Sequence, residues 1–377
     1  MRMNRKIRMN AHNEHVIDDI INQLSNFCLM KHVRLLFCAA LAAMTLSACD
    51  KEETKVAEGP TKSVEINIAN ILTRSTGTAI ADGTRVTLND CQIFFTDGTA
   101  LYKGKNGDGT DAVHFFSGND IPTTAVRYHF LPTAVNKVIV VGNLDEEKAP
   151  ANLAAIEMEH LIADEQKAED LCLYGDSPLT LATTSPDEHA PLYTATVNLR
   201  PRVARLEVSG FERIPDESAD IQYMYDKIIL NKIALNNWYN KAMFVSETAS
   251  DLMNETIETG TVFGWINSLT NVWYADEVGL TLTVPNGADN SKTFVYHTFP
   301  AMVPQIVITC MNDDVPAYLA TRKLTKPDGT EITAFEPGKI YKLAFKFKDS
   351  DFNLPDKCID VTVTVASWEV VPVVPVF

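Results

Sequence analysis

Four copies of Asp-Gly-Thr, beginning at Asp82, Asp97, Asp108 and Asp328, punctuate a chain whose apolar residues otherwise come in short runs. An Asp side chain hydrogen-bonds its own backbone two residues on, and the Gly supplies the positive φ of a tight turn, so each copy marks a place where a strand reverses. Between such turns lie Val86–Leu88, Cys91–Phe95, Ala112–Phe116, Tyr128–Leu131, Lys137–Val141 and Leu192–Leu199. Later come Lys227–Leu235, Trp238–Val245, Leu280–Val284, Thr293–Phe299, Gln305–Cys310, Lys339–Phe347 and Cys358–Val365. Many short runs at close spacing predict an all-β chain of antiparallel sandwich type. Ala151–Ala168, behind Pro150, carries Leu153, Ile156, Met158, Leu161 and Ile162 at roughly helical spacing and is expected to be one minor surface helix.

The last stretch sets a separate constraint. Ile359–Val365 alternates, with Val361, Val363 and Val365 on one face and Thr362 and Thr364 on the other, as in a half-buried strand. Beyond Trp368 the chain is almost wholly apolar, yet Pro372 and Pro375 each lack a ladder donor and do not fit a sheet interior. Either this tail folds back as an edge strand or it fills a groove in another molecule by strand addition.

Residues 1–48 hold six Lys/Arg and three Asp/Glu, so the remainder has 27 against 46, a balance of −19. A surface of that charge repels nucleic acid and anionic membranes. From Met30 the order is a short basic segment, an apolar run Leu35–Leu46 too short to span a bilayer, and Leu46-Ser-Ala-Cys49, the order of a secretory signal ending in a motif that resembles the bacterial lipobox. Cys49 is then the acylated (palmitate-bearing) residue. Residues 1–29 are polar and sit ahead of that signal, so they read as an extension from an upstream start, with 30–49 as the signal peptide. Residues 50–62 have the composition of a tether.

Val64, Ile66 and Ile68 alternate in a short strand that ends at Thr73-Arg74-Ser-Thr-Gly77. Arg74 in a loop of small residues is open to a trypsin-like protease, with Arg85 as the fallback site. Cys91, Cys172, Cys310 and Cys358 are far apart and have no metal-ligand spacing; free buried thiols are expected, one disulfide being the alternative. Nucleophile elbows, zinc-protease helices, phosphate loops and dinucleotide fingerprints do not occur, and the histidines fall singly, so no catalytic role and no cofactor is expected.

Several features taken in order resemble the fimbrillins, or type V pilins, of Bacteroidales. They are the lipobox, the strand ending in Thr73-Arg74, and the segment from Leu131-Pro to Val138-Ile-Val-Val-Gly142-Asn143. After these come Leu199-Arg-Pro-Arg202-Val-Ala204-Arg205, Phe335-Glu-Pro-Gly-Lys-Ile-Tyr341, and Val361-Thr-Val-Thr-Val with Trp368. The resemblance implies two tandem transthyretin-like β-sandwich domains, 75–200 and 201–377, preceded by a tether and propeptide strand at 50–74. It also implies export as an outer-membrane lipoprotein, removal of the Val64, Ile66, Ile68 strand by an arginine-specific protease at Arg74, and assembly into surface fimbriae. The emptied groove would take the C-terminal strand of a neighbouring subunit, here Val370, Val371, Val373, Val374, Val376 and Phe377. Partners implied are other fimbrial subunits, the protease, and host or bacterial surface ligands. The alternative is a surface lipoprotein or tip adhesin that binds glycan or protein ligands and does not polymerise.

Overall fold

The structure is a computed structural model that describes residues 60–69, 85–166, 171–182, 190–217, 219–258, 260–268, 275–284, 288–352, 359–367 and 369–372. The first half forms β1 (Thr61–Ala69), β2 (Arg85–Leu88), β3 (Asp90–Thr96), β4 (Leu101–Tyr102), β5 (Phe115–Ser117) and β6 (Val126–Pro132). It continues with β7 (Lys137–Gly142), β8 (Glu159–Leu161), β9 (Leu173–Pro178), β10 (Thr180–Leu181), β11 (Leu192–Asn198) and β12 (Arg200–Pro201). The second half forms β13 (Ala204–Arg213), β14 (Lys227–Asn236), β15 (Trp238–Met243), β16 (Ala249–Met253), the helix α1 (Thr261–Ser268), β17 (Ala275–Thr283) and β18 (Ala288–Thr298). It ends with β19 (Gln305–Asn312), β20 (Val315–Thr325), β21 (Glu331–Ile332), β22 (Lys339–Phe347), β23 (Ile359–Ser367) and β24 (Glu369–Pro372).

The all-β expectation holds. One sheet runs β10-β11-β1-β6, a second β12-β9-β7-β3-β4 with β5 on β3, and a third, nine-stranded, β17-β14-β19-β20-β23-β22-β13-β18 with β21 on β20. Two small sheets, β16-β15-β8 and β2-β24, complete the described strands. Most pairs are antiparallel, but β1 with β11, β2 with β24, β13 with β22 and β20 with β23 are parallel.

Strand alternation assigns each side chain to one of three cores. On β3 and β7, Cys91, Ile93, Phe95, Val138 and Val140 join the main core, whereas Phe94, Ile139 and Val141 face a second cluster closed by Ile156, Tyr174 and Phe244. On β19 and β20, Ile306, Ile308 and Leu319 face the main core while Val307, Tyr318 and Ala320 face α1 through Val262 and Ile266. Both sheets are therefore buried on two faces, which is why their strands read as continuous apolar runs.

The Asp-Gly-Thr turns at Asp97, Asp108 and Asp328 form as expected. In each the Asp Oδ1 accepts from the backbone N–H of the Thr, at 2.8, 2.9 and 2.9 Å, and Gly98, Gly109 and Gly329 have φ of 103°, 84° and 84°. The copy at Asp82 lies outside the described residues.

The helix expected at Ala151–Ala168 is not there. The segment makes two 3-10 turns, Leu153–Ile156 and Ile162–Glu165, flanking β8, which pairs with β15. Its apolar residues serve different cores, Ile156 the second and Ile162 the main one, and no single helix face reaches both. The helix of the described residues is α1 instead, where Val262 and Ile266, four apart, bury one stripe.

Gly175 on β9 marks a close approach between sheets. A Cβ there would lie 2.5 Å from the Asn198 carbonyl oxygen and 2.7 Å from Val197 Cγ1, so β9 and β11 would have to separate. Gly175→Ala is expected to destabilise the fold by about 1–3 kcal/mol, the usual penalty of overpacking, read as a lower midpoint of urea unfolding. An unchanged midpoint would mean that the sheets yield there.

Cys91, Cys172 and Cys310 are free thiols, as expected, and Cys358 lies outside the described residues. Burial pushes the Cys91 thiol up to about 12 and raises the other two as well, so all three are poor nucleophiles.

Candidate functional site

Val64, Ile66 and Ile68, the residues singled out for alternation, are 0%, 1% and 8% exposed and point into the main core. Their strand, β1, is an inner strand. It pairs in parallel with β11 from Ser63 opposite Leu192 to Ala69 opposite Asn198, and antiparallel with β6 from Thr61 opposite Pro132 to Ile66 opposite Val126. A bulge between Lys62 and Val64 lets two successive residues, Lys62 and Ser63, both turn inward. Ser63 Oγ lies 3.0 Å from His129 Nδ1, and Glu65 Oε2 accepts from Arg127 Nη2 at 2.6 Å on the outer face. Lys62, 2% exposed, donates to the carbonyl oxygens of Thr133 at 3.3 Å and of Val135, and its ammonium lies 4.2 Å from the centre of the Tyr193 ring. Burial lowers its pKa. Nothing in the spacing of the sequence marked Lys62 as more than a tether residue; only the fold shows that the turn after β6 needs its cation.

Taking β1 away would leave β11 and β6 with facing rows of unpaired backbone groups and three apolar pockets between them. Val64, Ile66 and Ile68 each contribute roughly 1.5–3 kcal/mol by burial, and each ladder hydrogen bond about 1 kcal/mol, so the slot has a strong demand for a strand.

The other predicted residues fall partly outside the description. Cys49, Arg74, Val373, Val374, Val376 and Phe377 lie outside it. Arg85, the fallback cleavage residue, is in β2, where it pairs with Glu369, and the neighbouring Val86 and Leu88 are fully buried. Val370 and Val371 are in β24, opposite Val86 and Thr87. The tail therefore has a partner as far as Pro372, in parallel pairing with β2, rather than standing unassigned; the first proline falls at the end of the ladder, where its missing donor does least harm.

The remaining motifs have local structural reasons. Gly142 lets the Leu88 side chain come within 2.6 Å of where its Cβ would be, and Asn143, at φ 61°, accepts from Asn89 N at 2.8 Å and donates to the Leu171 carbonyl at 2.8 Å. Arg202 is 2% exposed; its guanidinium lies 4.6 Å from the centre of the Tyr174 ring, donates to the Val245 carbonyl at 2.8 Å and pairs with Glu247 at 2.5 Å. Phe335 stacks on Tyr341 at 3.9 Å between ring centres, Tyr341 Oη accepts from Glu336 N at 2.8 Å, and Gly338, at φ 70°, donates to the Val203 carbonyl at 2.9 Å. The last two motifs thus dock on each other where the chain enters β13.

A buried histidine lies beside that crossing. His297 Nδ1 is 2.6 Å from the Glu165 carbonyl, and burial pulls its pKa down to about 4. Because the folded value is depressed below the ordinary 6.5, the neutral ring's contribution is fully present above pH 6.5 and is lost as pH falls towards 4. Unfolding free energy is expected to drop by about 3 kcal/mol across that window from this group. Comparing urea titrations at pH 7 and pH 4 with those of His297→Phe tests it: the variant should show the shallower dependence.

No family model matches the sequence, and no curated protein matches it. Solved structures do. The chain is similar to a protein assigned to cell adhesion from Bacteroides eggerthii at 18% identity and TM-score 0.50, over 84% of this chain and 98% of that one. A fimbrilin from Porphyromonas gingivalis aligns at 13% identity and TM-score 0.49 over 82% and 98%, and a protein assigned to cell adhesion from Parabacteroides distasonis at 12% and 0.49 over 84% and 99%. The first of these similarities extends over most of both chains and establishes a shared fold.

Proposed function

We propose that this protein is a structural subunit of cell-surface fimbriae, built from two sandwiches that divide near residue 200 and supporting adhesion. It is exported as an outer-membrane lipoprotein through Cys49. An arginine-specific protease cuts at Arg74, β1 leaves, and the C-terminal segment of a neighbouring subunit, including Val370, Val371, Val373, Val374, Val376 and Phe377, takes its place. The observation that carries this reading is β1 itself: an inner strand supplying Val64, Ile66 and Ile68 to the core, joined to the rest of the body only through residues 70–84, which contain Arg74 among small polar residues. The shared fold with the Bacteroides protein assigned to cell adhesion, and the sequence motifs from the lipobox to Trp368, support the same reading.

The pairing of β24 with β2 favours a second reading, a surface lipoprotein or tip adhesin that binds a glycan or protein ligand and keeps its own tail. Mass spectrometry of the mature N-terminus on cells, with electrophoresis of unboiled samples, separates the two. An N-terminus at Ser75 with SDS-resistant ladders supports the subunit; an intact chain through Arg74 without ladders supports the binder.

A further inference from the structure

The turn that joins β15 to β16 belongs to the second half, yet its Phe244 is buried in the second cluster, among Phe94, Ile139, Val141 and Tyr174 of the first half. The Tyr174 ring meets it edge-on at 5.7 Å between centres, and the Phe244 N–H donates to the Met158 carbonyl at 2.8 Å. The Glu157 carboxylate accepts from the backbone N–H of Val245 at 2.9 Å and of Ser246 at 3.1 Å, and from Ser246 Oγ at 2.6 Å. Arg202, at the crossing between the halves, holds the Val245 carbonyl and Glu247. β15 itself pairs with β8, from Lys241 opposite Leu161 to Met243 opposite Glu159. A backbone ladder, charge-assisted hydrogen bonds and an apolar anchor thus fasten this one turn to the first half.

What the turn covers gives it a use. β3 and β7 carry Phe94, Ile139 and Val141 on the face it closes, and Ile93, Phe95, Val138 and Val140 on the face turned to the main core, which Val64, Ile66 and Ile68 enter. With β1 gone, β11 and β6 lose their common neighbour and the main core loses three buried side chains. A sandwich opened in this way exposes apolar surface and bare strand edges, the state from which chains unfold further or aggregate. Neither β15 nor β16 pairs with β1, β6 or β11, so the fastening outlasts the removal of the strand.

We propose that the turn between β15 and β16 is a strap that holds β3 and β7 in place while the slot of β1 stands empty, keeping the first half able to receive a strand. Phe244 is its anchor and Glu157 its polar tie. The inference rests on the strand-replacement reading and adds to it the element that preserves the open intermediate.

The test uses the full chain with a specific protease site placed within residues 70–84. After cutting, β1 is stripped in mild urea and the emptied protein is returned to buffer. Pulsed hydrogen exchange then reads each strand, and labelled peptide 60–69 reads whether the slot can be refilled. On emptying, the amides of β6 and β11 should lose protection by about tenfold or more, while those of β3, β7 and residues 244–246 stay protected and the peptide rebinds. Phe244→Ala should lower the midpoint of urea unfolding of the uncut chain. Once emptied, its β3 and β7 should exchange along with β6 and β11, and the fraction that takes up peptide should fall by about tenfold. Glu157→Gln weakens the strap without opening a cavity and should shift both readings the same way by a smaller factor; it carries the test should Phe244→Ala not fold. Loss of protection in β3 and β7 together with β6 and β11 in the emptied protein of unaltered strap, or variants that refill as fully as it does, overturns the inference while leaving strand replacement intact. If cut β1 cannot be stripped, or if the emptied protein keeps β3 and β7 protected yet never takes up peptide 60–69, strand replacement fails and the inference falls with it.

Discussion

Arg74→Ala is expected to yield a precursor that folds and reaches the surface but forms no polymer. As long as β1 is covalently joined to β2 through residues 70–84, it competes for its slot at the effective concentration of a short linker, of order millimolar. It also brings three buried apolar side chains worth roughly 1.5–3 kcal/mol each. A strand from another subunit must displace all of this at once, so assembly should fall below detection. The measurement is the SDS-resistant ladder of unboiled cell extracts, with the N-terminus sequenced; a normal ladder from the variant, with an N-terminus upstream of Ser75, sinks the claim. Arg85→Ala should by contrast change nothing, because Arg85 lies in a paired strand beside the buried Val86, and a protease needs an extended, unpaired segment.

The largest expected loss of stability belongs to Asp349→Ala. Asp349 and Arg213 are both buried; Arg213 Nε donates to Oδ1 at 2.7 Å and Nη2 to Oδ2 at 2.6 Å, and Oδ2 also accepts from the backbone N–H of Met224 at 2.6 Å and of Tyr225 at 3.1 Å. The carboxylate ties the end of β13 to the turn after β22 and to the segment before β14. Removing it leaves a guanidinium uncompensated in the interior and two amides without acceptors, a change that costs about 3–5 kcal/mol. Urea unfolding at pH 7 reads it, and a loss below about 1 kcal/mol would contradict the account. A double variant, Arg213→Met with Asp349→Leu, should recover much of the loss, since replacing a buried pair by apolar groups is often neutral.

How much of this was legible in the sequence varied with how local its cause is. The Asp-Gly-Thr turns and the alternating strands were readable because the turn and the strand each satisfy their own hydrogen bonds and periodicity within a few residues. Strand β20 and the role of Ala151–Ala168 were not, because there the apolar residues are divided between two cores by strands far away in the chain. At the site, Val64, Ile66 and Ile68 announced themselves by alternation. Lys62 did not, since a buried cation is defined by the carbonyls of Thr133 and Val135, and these come together with it only once β6 has paired with β1. The pairing of Glu369–Pro372 with Arg85–Leu88 was likewise invisible: it brings together segments near opposite ends of the folded body.

The parallel pairing of β1 with β11 also sets the order in which the molecule can be finished. β1 is among the first segments of the body to be made, yet its parallel partner runs from Leu192 to Asn198. β6 can cover one edge of β1 once Val126–Pro132 has followed, but the other edge has no partner until more than a hundred residues separate it from β11. Contacts of such sequence separation form slowly, and strands left waiting are prone to pair with the wrong edge. The first sheet therefore closes only when the first half, β1 to β12, is almost complete. A chain stalled before Leu192 would leave the β11 edge of β1 open and adhesive, an interval that folding must either outrun or pass through shielded.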